Sequence, residues 1–336
     1  MDKLNCGVIG LGRLGLKHAE TLAGRVPEAR LVGVSEAVKE KRERFVERFP
    51  SVKAFADHHA LIASADVDAV VIASPTTLHG EMVQEAMRAK KAIFCEKPLT
   101  LDADEGRALR EEESRTGAFV QVGYMRRYDR GYAAAKRAID AGEVGRPVYI
   151  HCLSRDPDAP PLEFLKASGG IIADLSIHDI DLARWLVGSE IASVYAQGGV
   201  LMHERVGAAG DLDQVDLLVR FANGALGHIE GSRNARYGYD IRTEIVCTAG
   251  TILVGELHRT ACVTLTRDGS RRDVVPGFLE RFDEAYENEL RRFVQCVLEG
   301  RPSEATVEDG LKAIQVAAAA KRSHELGRRV EVNAAP

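Results

Sequence analysis

The sequence predicts an α/β protein of two domains. An N-terminal, doubly wound parallel sheet spans residues 1–122, and a C-terminal α+β domain over residues 123–336 is built on a large, mostly antiparallel open sheet. Three observations carry this. Short apolar strands alternate with helices as far as residue 122, the pattern of a parallel sheet covered on both faces. A glycine-rich turn, Gly10-Leu11-Gly12-Arg13-Leu14-Gly15, lies directly between the first strand and the first helix. Later, in Val215-Asp216-Leu217-Leu218-Val219-Arg220-Phe221, every odd position is apolar, the period of half-buried strands.

Composition narrows the function. A formal charge of -5 leaves no basic face for nucleic acid. No apolar run approaches membrane-spanning length. Met1-Asp2-Lys3 leads straight into an apolar strand, without the layout of a signal peptide. Cys6, Cys95, Cys152, Cys247, Cys262 and Cys296 form no Cys-x-x-Cys pair and sit mostly in apolar runs. They read as free thiols in a reducing cytoplasm, not as zinc ligands. His58-His59 has no supporting partners in the sequence, so no metal is expected.

In the first domain, Leu4 to Ile9 reads as a strand and Leu16 to Leu22 continues a helix after the turn. Gly-x-Gly-x-x-Gly between strand and helix is a dinucleotide fingerprint. Gly10 permits the tight turn, Gly12 lets a pyrophosphate approach the backbone, and Gly15 lets helix and strand pack closely. The next strand, Ala29 to Ser35, ends at Glu36, where a carboxylate can accept from ribose hydroxyls and repel a 2′-phosphate, favouring NAD over NADP. Lys39 and Arg42 lie nearby, and Glu36 also suits a helix N-terminus. A strand over Asp68–Ala73 places Ser74, Thr76 and His79 at a carboxyl end, where cofactor contacts are expected, although His79 also reads as a helix-start residue. The Ala92 strand closes on Glu96-Lys97-Pro98, putting Lys97 at the ligand-binding end of the sheet. A helix over Asp102–Thr116 and a strand over Ala118–Val122 follow.

In the second domain, Tyr128 to Ala141 reads as a helix and Pro147 to Ser154 as a strand. Asn223-Gly224 is a hairpin signal with Ala225 to Ser232 returning. Arg242 to Thr248, Gly250 to Val254 and Ala261 to Thr266 are expected to extend the same sheet. An open sheet with helices on one face needs a cover on the other, so a homo-oligomer is expected. Arg281 to Glu299 and Thr306 to Leu326 read as closing helices, free to pack back on the first domain, and Thr306-x-x-Asp309 as a capping box.

The chemistry gathers in few residues. Asp174-Leu175-Ser176-Ile177-His178 opens a helix stopped by Gly188, and a spacing of four puts Asp174 and His178 on one face. A carboxylate beside an imidazole can hold its tautomer for proton abstraction. A helix cap with a surface histidine fits the same spacing, and Asp179 and Asp181 are competing partners. Arg126 and Arg127 could meet substrate hydroxyls or a neighbouring subunit, and Tyr237 could reach a polyol.

Together, these segments, with Arg155-Asp156-Pro157 and Tyr237 to Asp240, resemble the Gfo/Idh/MocA oxidoreductases over nearly the whole chain, and within them the inositol dehydrogenases. The resemblance implies an N-terminal Rossmann domain that binds NAD through Gly10, Gly12, Arg13, Leu14, Gly15, Glu36, Ser74, Thr76, His79, Glu96 and Lys97. It implies oxidation of a cyclitol hydroxyl, myo-inositol to 2-keto-myo-inositol, with Lys97, Asp174 and His178 catalytic. Lys97 would contact the reacting oxygen, His178 would take the proton, and Arg126, Asp156 and Tyr237 would join these three in binding substrate. A homotetramer is implied as well. Scyllo-inositol and an unphosphorylated aldopyranose such as glucose are alternative substrates, and a non-catalytic NAD-binding regulator is the alternative class.

Overall fold

The computed structural model describes residues 3–255, 257–260 and 262–332. The reading of the N-terminus rests on Met1 and Asp2, and one strand was expected to begin at Ala261; these three residues lie outside the described set. The chain divides into two compact units, one of residues up to Met125 with Glu284–Leu311, the other of Arg126–Asp283 with residues from Lys312 onward.

The first unit contains β1 (Leu4–Ile9), α1 (Arg13–Gly24), β2 (Ala29–Ser35), α2 (Lys39–Arg48), β3 (Lys53–Phe55), α3 (His58–Ile62), β4 (Ala69–Ile72), α4 (His79–Arg88), β5 (Ala92–Glu96), α5 (Ala103–Thr116) and β6 (Val120–Gly123). The strands form one sheet in the order β3-β2-β1-β4-β5-β6, every pair parallel. The order reverses between β1 and β4, which opens a crevice at the strands' carboxyl ends. Cys6, Val8, Val34, Val71 and Phe94 pack in its core with Leu290, Phe293 and Val294. Those last three come from far along the chain, so a closing helix completes this core. Local chemistry sets the helix ends. Asp102 accepts from the amides of Asp104 and Glu105 to start α5, and Gly117 ends it at a φ of 66°.

The second unit contains α6 (Arg130–Asp140), β7 (Pro147–Arg155), α7 (Leu162–Ala167), α8 (Ile177–Val187), β8 (Ile191–Gly199), α9 (Glu204–Ala208), β9 (Gln214–Phe221), β10 (Leu226–Ser232), β11 (Asp240–Cys247), β12 (Thr251–Val254), β13 (Val263–Thr266), β14 (Gly269–Arg272) and α10 (Phe278–Arg281). The chain closes with α11 (Asp283–Glu299), α12 (Val307–Leu326) and β15 (Val330–Glu331). The large sheet runs β12-β11-β7-β10-β9-β8-β15 and is antiparallel except at β7–β10. The Asn223-Gly224 turn joins β9 to β10 as the sequence predicts. Thr306 and Asp309 exchange bonds in a capping box, amide to carboxylate at 2.9 Å and amide to hydroxyl at 3.2 Å.

One expectation needs correction. The strand expected over Ala261 to Thr266 does not extend the large sheet. It pairs as β13 with β14 alone, and both strands are exposed along their length. Neither strand has a face of its own to bury, so nothing recruits the ribbon into the large sheet. Among the described residues no helix is long and apolar enough to cross a membrane.

The fold carries one pH-sensitive strain. Burial, reinforced by the Glu308 carboxylate, pushes Glu113 on α5 up to about 7. An acid that holds its proton more tightly when folded loses stability as the pH climbs, here from about 4.5 to about 7. Glu113→Gln should therefore raise the urea midpoint at pH above this range by the equivalent of ~1 kcal/mol, discounted for solvent access. It should have no effect below the range, where glutamate is already neutral.

Candidate active site

The first unit builds a phosphate cradle from its glycines. Gly10 has a φ of +89°, and a Cβ there would lie 2.7 Å from the Ala73 carbonyl oxygen. A Cβ on Gly15 would lie 2.0 Å from the Gly10 carbonyl oxygen, so the turn closes only around a bare α-carbon. A Cβ on Gly12 would meet nothing within 4 Å, which leaves open space over the backbone. The N-terminus of α1 has no side-chain cap and no acidic residue in its first turn. Arg13 is exposed and Leu14 half-buried beside it. Open space, uncapped amides and a positive helix end fit a pyrophosphate.

Glu36 stands at the end of β2 and holds this turn. One carboxylate oxygen accepts from the Leu11 amide at 2.8 Å and the other from the Val38 amide at 2.9 Å. Each oxygen keeps acceptor capacity for a hydroxyl. Arg42 donates to the Glu36 carbonyl. Ser74 and Thr76 are half-buried in the turn after β4.

His79 and Glu96, expected as cofactor contacts, have side chains bonded within their own unit. His79 is 1% exposed, with Nδ1 2.9 Å from the Pro98 carbonyl oxygen and Nε2 3.0 Å from that of Ser74. Burial lowers its pKa despite those carbonyls. Both ring nitrogens thus face backbone carbonyl oxygens, and the neutral ring donates to one of the two. Glu96 is also buried; its carboxylate meets His18 Nε2 at 2.6 Å and accepts from the Lys97 amide at 3.2 Å. Lys97, between them, is half-buried and precedes a cis proline bond.

The second unit presents Asp174 and His178 on an irregular helix. Gly169 and Gly170, at φ of 79° and 85°, turn the chain into it. Ile172–Ser176 is a π-turn that runs directly into α8, and such turns recur at functional sites. The regular α-helix expected from Asp174 therefore begins only at Ile177. Asp174 faces Arg233, whose Nη2 lies 3.5 Å away and also 3.5 Å from Asp211. Arg233 is wholly buried, and its Nε and Nη1 have no partner among the described residues. Asp211 in turn accepts from the Ile171 amide at 2.9 Å, so the π-turn and Arg233 share one anchor.

The competing carboxylates are consumed elsewhere. Asp179 pairs with Arg126 at 2.5 Å and accepts from Ser154, all three buried. Burial raises the Asp179 pKa, with Arg126 opposing it. Asp181 takes Arg127 in two bonds, with Nε at 2.8 Å. Both arginines are thus held inside their own unit, although Arg126 Nε has no partner among the described residues. Asp156 is half-buried and tied through its backbone to Ser232 and Ala235. Tyr237 is 46% exposed; its hydroxyl donates to Asp240 at 2.8 Å and accepts from Arg155 at 3.1 Å.

Two residues escaped the sequence reading. Arg233 directly follows β10, a strand that already carries His228 and Glu230, so one more charge there is a weak signal. His18 sits on the buried face of α1 with Gly15, Ala19 and Leu22, at helical spacing, which is a readable one. The structure also supplies His58-His59 with a neighbour that the sequence hides, because Glu85 lies 2.8 Å from His59 Nδ1 and 3.5 Å from His58 Nε2. His59 is 60% exposed and already bonded to that carboxylate, as a surface ion pair would be.

A six-stranded parallel sheet with this cradle defines a dinucleotide-binding domain. The comparisons state the family: residues 4–124 match the NAD-binding Rossmann fold of the Gfo/Idh/MocA oxidoreductases, and residues 136–332 match that family's C-terminal α/β domain. The chain belongs to this family. It is 42% identical to a scyllo-inositol 2-dehydrogenase (NAD(+)) of Bacillus subtilis, over 98% of this chain and 97% of the relative. It is 39% identical to a myo-inositol 2-dehydrogenase of Thermotoga maritima, over 98% of each. The crystal structure of a scyllo-inositol dehydrogenase from Lactobacillus casei with NAD(H) and scyllo-inositol superposes with a TM-score of 0.94 at 31% identity, over 99% of this chain and 100% of that one.

Removing one partner of a buried ion pair strands the other charge. Asp179→Asn should cost about 3–5 kcal/mol in urea unfolding by leaving Arg126 unneutralised. Asp158→Asn, at a carboxylate 69% exposed beside Arg205, should change the midpoint by less than ~1 kcal/mol.

Proposed function

We propose that the chain is an NAD-dependent inositol dehydrogenase that oxidises the C2 hydroxyl of myo-inositol to 2-keto-myo-inositol. The observation that carries this reading is full-length similarity to inositol dehydrogenases. The reaction removes a proton from the hydroxyl and a hydride from its carbon, and NAD, when bound, supplies the hydride acceptor. Gly10, Gly12, Arg13, Leu14 and Gly15 seat the pyrophosphate, Glu36 accepts from the ribose hydroxyls, and Ser74 and Thr76 line the turn beside it. His178 takes the hydroxyl proton. Asp174 binds substrate and orients the imidazole, with the Arg233 guanidinium 3.5 Å behind it. The Lys97 ammonium stabilises negative charge as it develops on the reacting oxygen. Asp156 and Tyr237 supply further substrate contacts.

A second reading, scyllo-inositol, is favoured by the 42% identical relative. The two cyclitols differ only at C2, so oxidation there yields one ketone from both. The ketone therefore cannot distinguish them, but initial rates can. NADH formation should be fastest with myo-inositol across a panel with scyllo-inositol and D-glucose. Activity confined to either of the others moves the substrate, and silence with NAD still bound favours a regulator. Lys97→Ala should lower kcat about 10²–10⁴-fold while leaving the Kd for NAD nearly unchanged in calorimetry; equal loss of both would make Lys97 structural.

The same reading makes the chain a homotetramer. Tyr149, Leu218, Leu226 and Leu253 stand exposed on one face of the large sheet, while Ile150, Leu217, Val219, Ile229 and Ile245 are buried on the other. A sheet face with large apolar side chains exposed among polar ones such as Arg220, His228 and Glu244 suits an interface with further copies of the chain. Light scattering should return a mass of four chains, and Leu218→Glu with Leu226→Glu should lower it. Free thiols at all six cysteines support a reducing cytoplasm.

A further inference from the structure

The fingerprint helix α1 carries a histidine where its pattern calls for an apolar residue. His18 is 0% exposed and sits edge-on to Phe94 at 5.4 Å and to Tyr286 at 5.9 Å. Its Nε2 lies 2.6 Å from one Glu96 oxygen, and the other Glu96 oxygen accepts from the Lys97 amide at 3.2 Å. Nδ1 has no partner among the described residues. In the Nε2–H tautomer the ring donates to the carboxylate and leaves only a lone pair against the aromatic rings, which costs less than an unmet N–H. Glu96 packs beside the bare α-carbon of Gly123, where an added Cβ would lie 3.1 Å from its second oxygen. On the far side, His79 holds the Pro98 carbonyl at 2.9 Å. The Lys97 residue is thus held through both of its sequence neighbours by buried imidazoles.

We infer that His18 is a positioning residue for the oxidation: by gripping the Glu96 carboxylate from the cofactor-binding helix, it fixes the backbone that carries Lys97. The inference rests on the role proposed above for Lys97. Without His18, Glu96 is a buried carboxylate lacking its side-chain partner, and it must turn or draw in water. Either response moves the peptide at Lys97, and displacements near 1 Å can cost about 10²-fold in rate.

The test uses the full-length enzyme with His18→Leu, His18→Gln, Lys97→Ala and the double variant His18→Leu/Lys97→Ala. Glutamine can return a donor near the Nε2 position and keeps the question open to experiment if leucine does not fold. His18→Leu should lower kcat about 10–100-fold with the Kd for NAD within about threefold. Deuterium exchange at the Lys97 amide, read by mass spectrometry with residue-level fragmentation, should accelerate at least about tenfold. His18→Gln should recover most of both. In the Lys97→Ala background, His18→Leu should change kcat by less than about threefold, because two residues acting through one contact are not additive. Unchanged Lys97 exchange, equal kcat losses in both backgrounds, or a Kd for NAD rising in step with the fall in kcat would each overturn the role of His18. A Lys97→Ala enzyme as fast as the wild type would instead overturn the role given to Lys97, whatever the exchange data show.

Discussion

A guanidinium taken out of water has to meet a carboxylate, and in the second unit this requirement orders the candidate site. Arg126 and Arg127 are adjacent in sequence and both buried, so two carboxylates must be brought to them. Asp179 and Asp181 on α8 meet this need. These two pairs hold α8 against the buried arginines and so fix where the helix carries His178. The π-turn at Ile172–Ser176 shifts Asp174 out of regular helical register, and Arg233 stands behind it. Candidate catalytic groups and structural acids thus follow one another along sixteen residues of helix, from Ile172 to Val187. Charge neutralisation decides which are which.

The first unit meets the same requirement with histidines. Its fingerprint turn closes around bare α-carbons, and Glu36 ties that turn to the end of β2. The carboxyl end of β5 is tied to α1 through His18 and to α4 through His79. A cofactor-binding turn and a lysine-bearing strand end are therefore parts of one hydrogen-bonded frame within the unit. Buried polar groups with most of their partners in place are rigid, and rigidity is what a group that stabilises developing charge requires.

Family membership bears differently on fold and on substrate. Relatives of both inositol stereochemistries share the whole length of this chain. Their substrates differ at one carbon, in a feature of shape and not of charge, and such differences are set by the placement of a few hydroxyl contacts. On the proposed reading, Asp156, directly after β7, and Tyr237, in the loop after β10, are the substrate contacts to compare.

Sequence by itself determined the parallel sheet, the fingerprint, the acid Glu36 at the end of β2, the Lys97 strand end, the Asn223-Gly224 hairpin and the Thr306–Asp309 cap. Each is legible because its cause is local: a φ only glycine tolerates, a side-chain period, or a reciprocal bond across three residues. Tertiary structure alone decided that Asp179 and Asp181 belong to Arg126 and Arg127, that Arg233 backs Asp174, that His79 and Glu96 are spent internally, and that β13 leaves the sheet. It also decided that Leu290, Phe293 and Val294 complete the core of a unit that the chain had left more than a hundred residues earlier. These outcomes depend on partners that are remote in sequence, and a spacing rule carries no term for the burial that makes such a partner necessary.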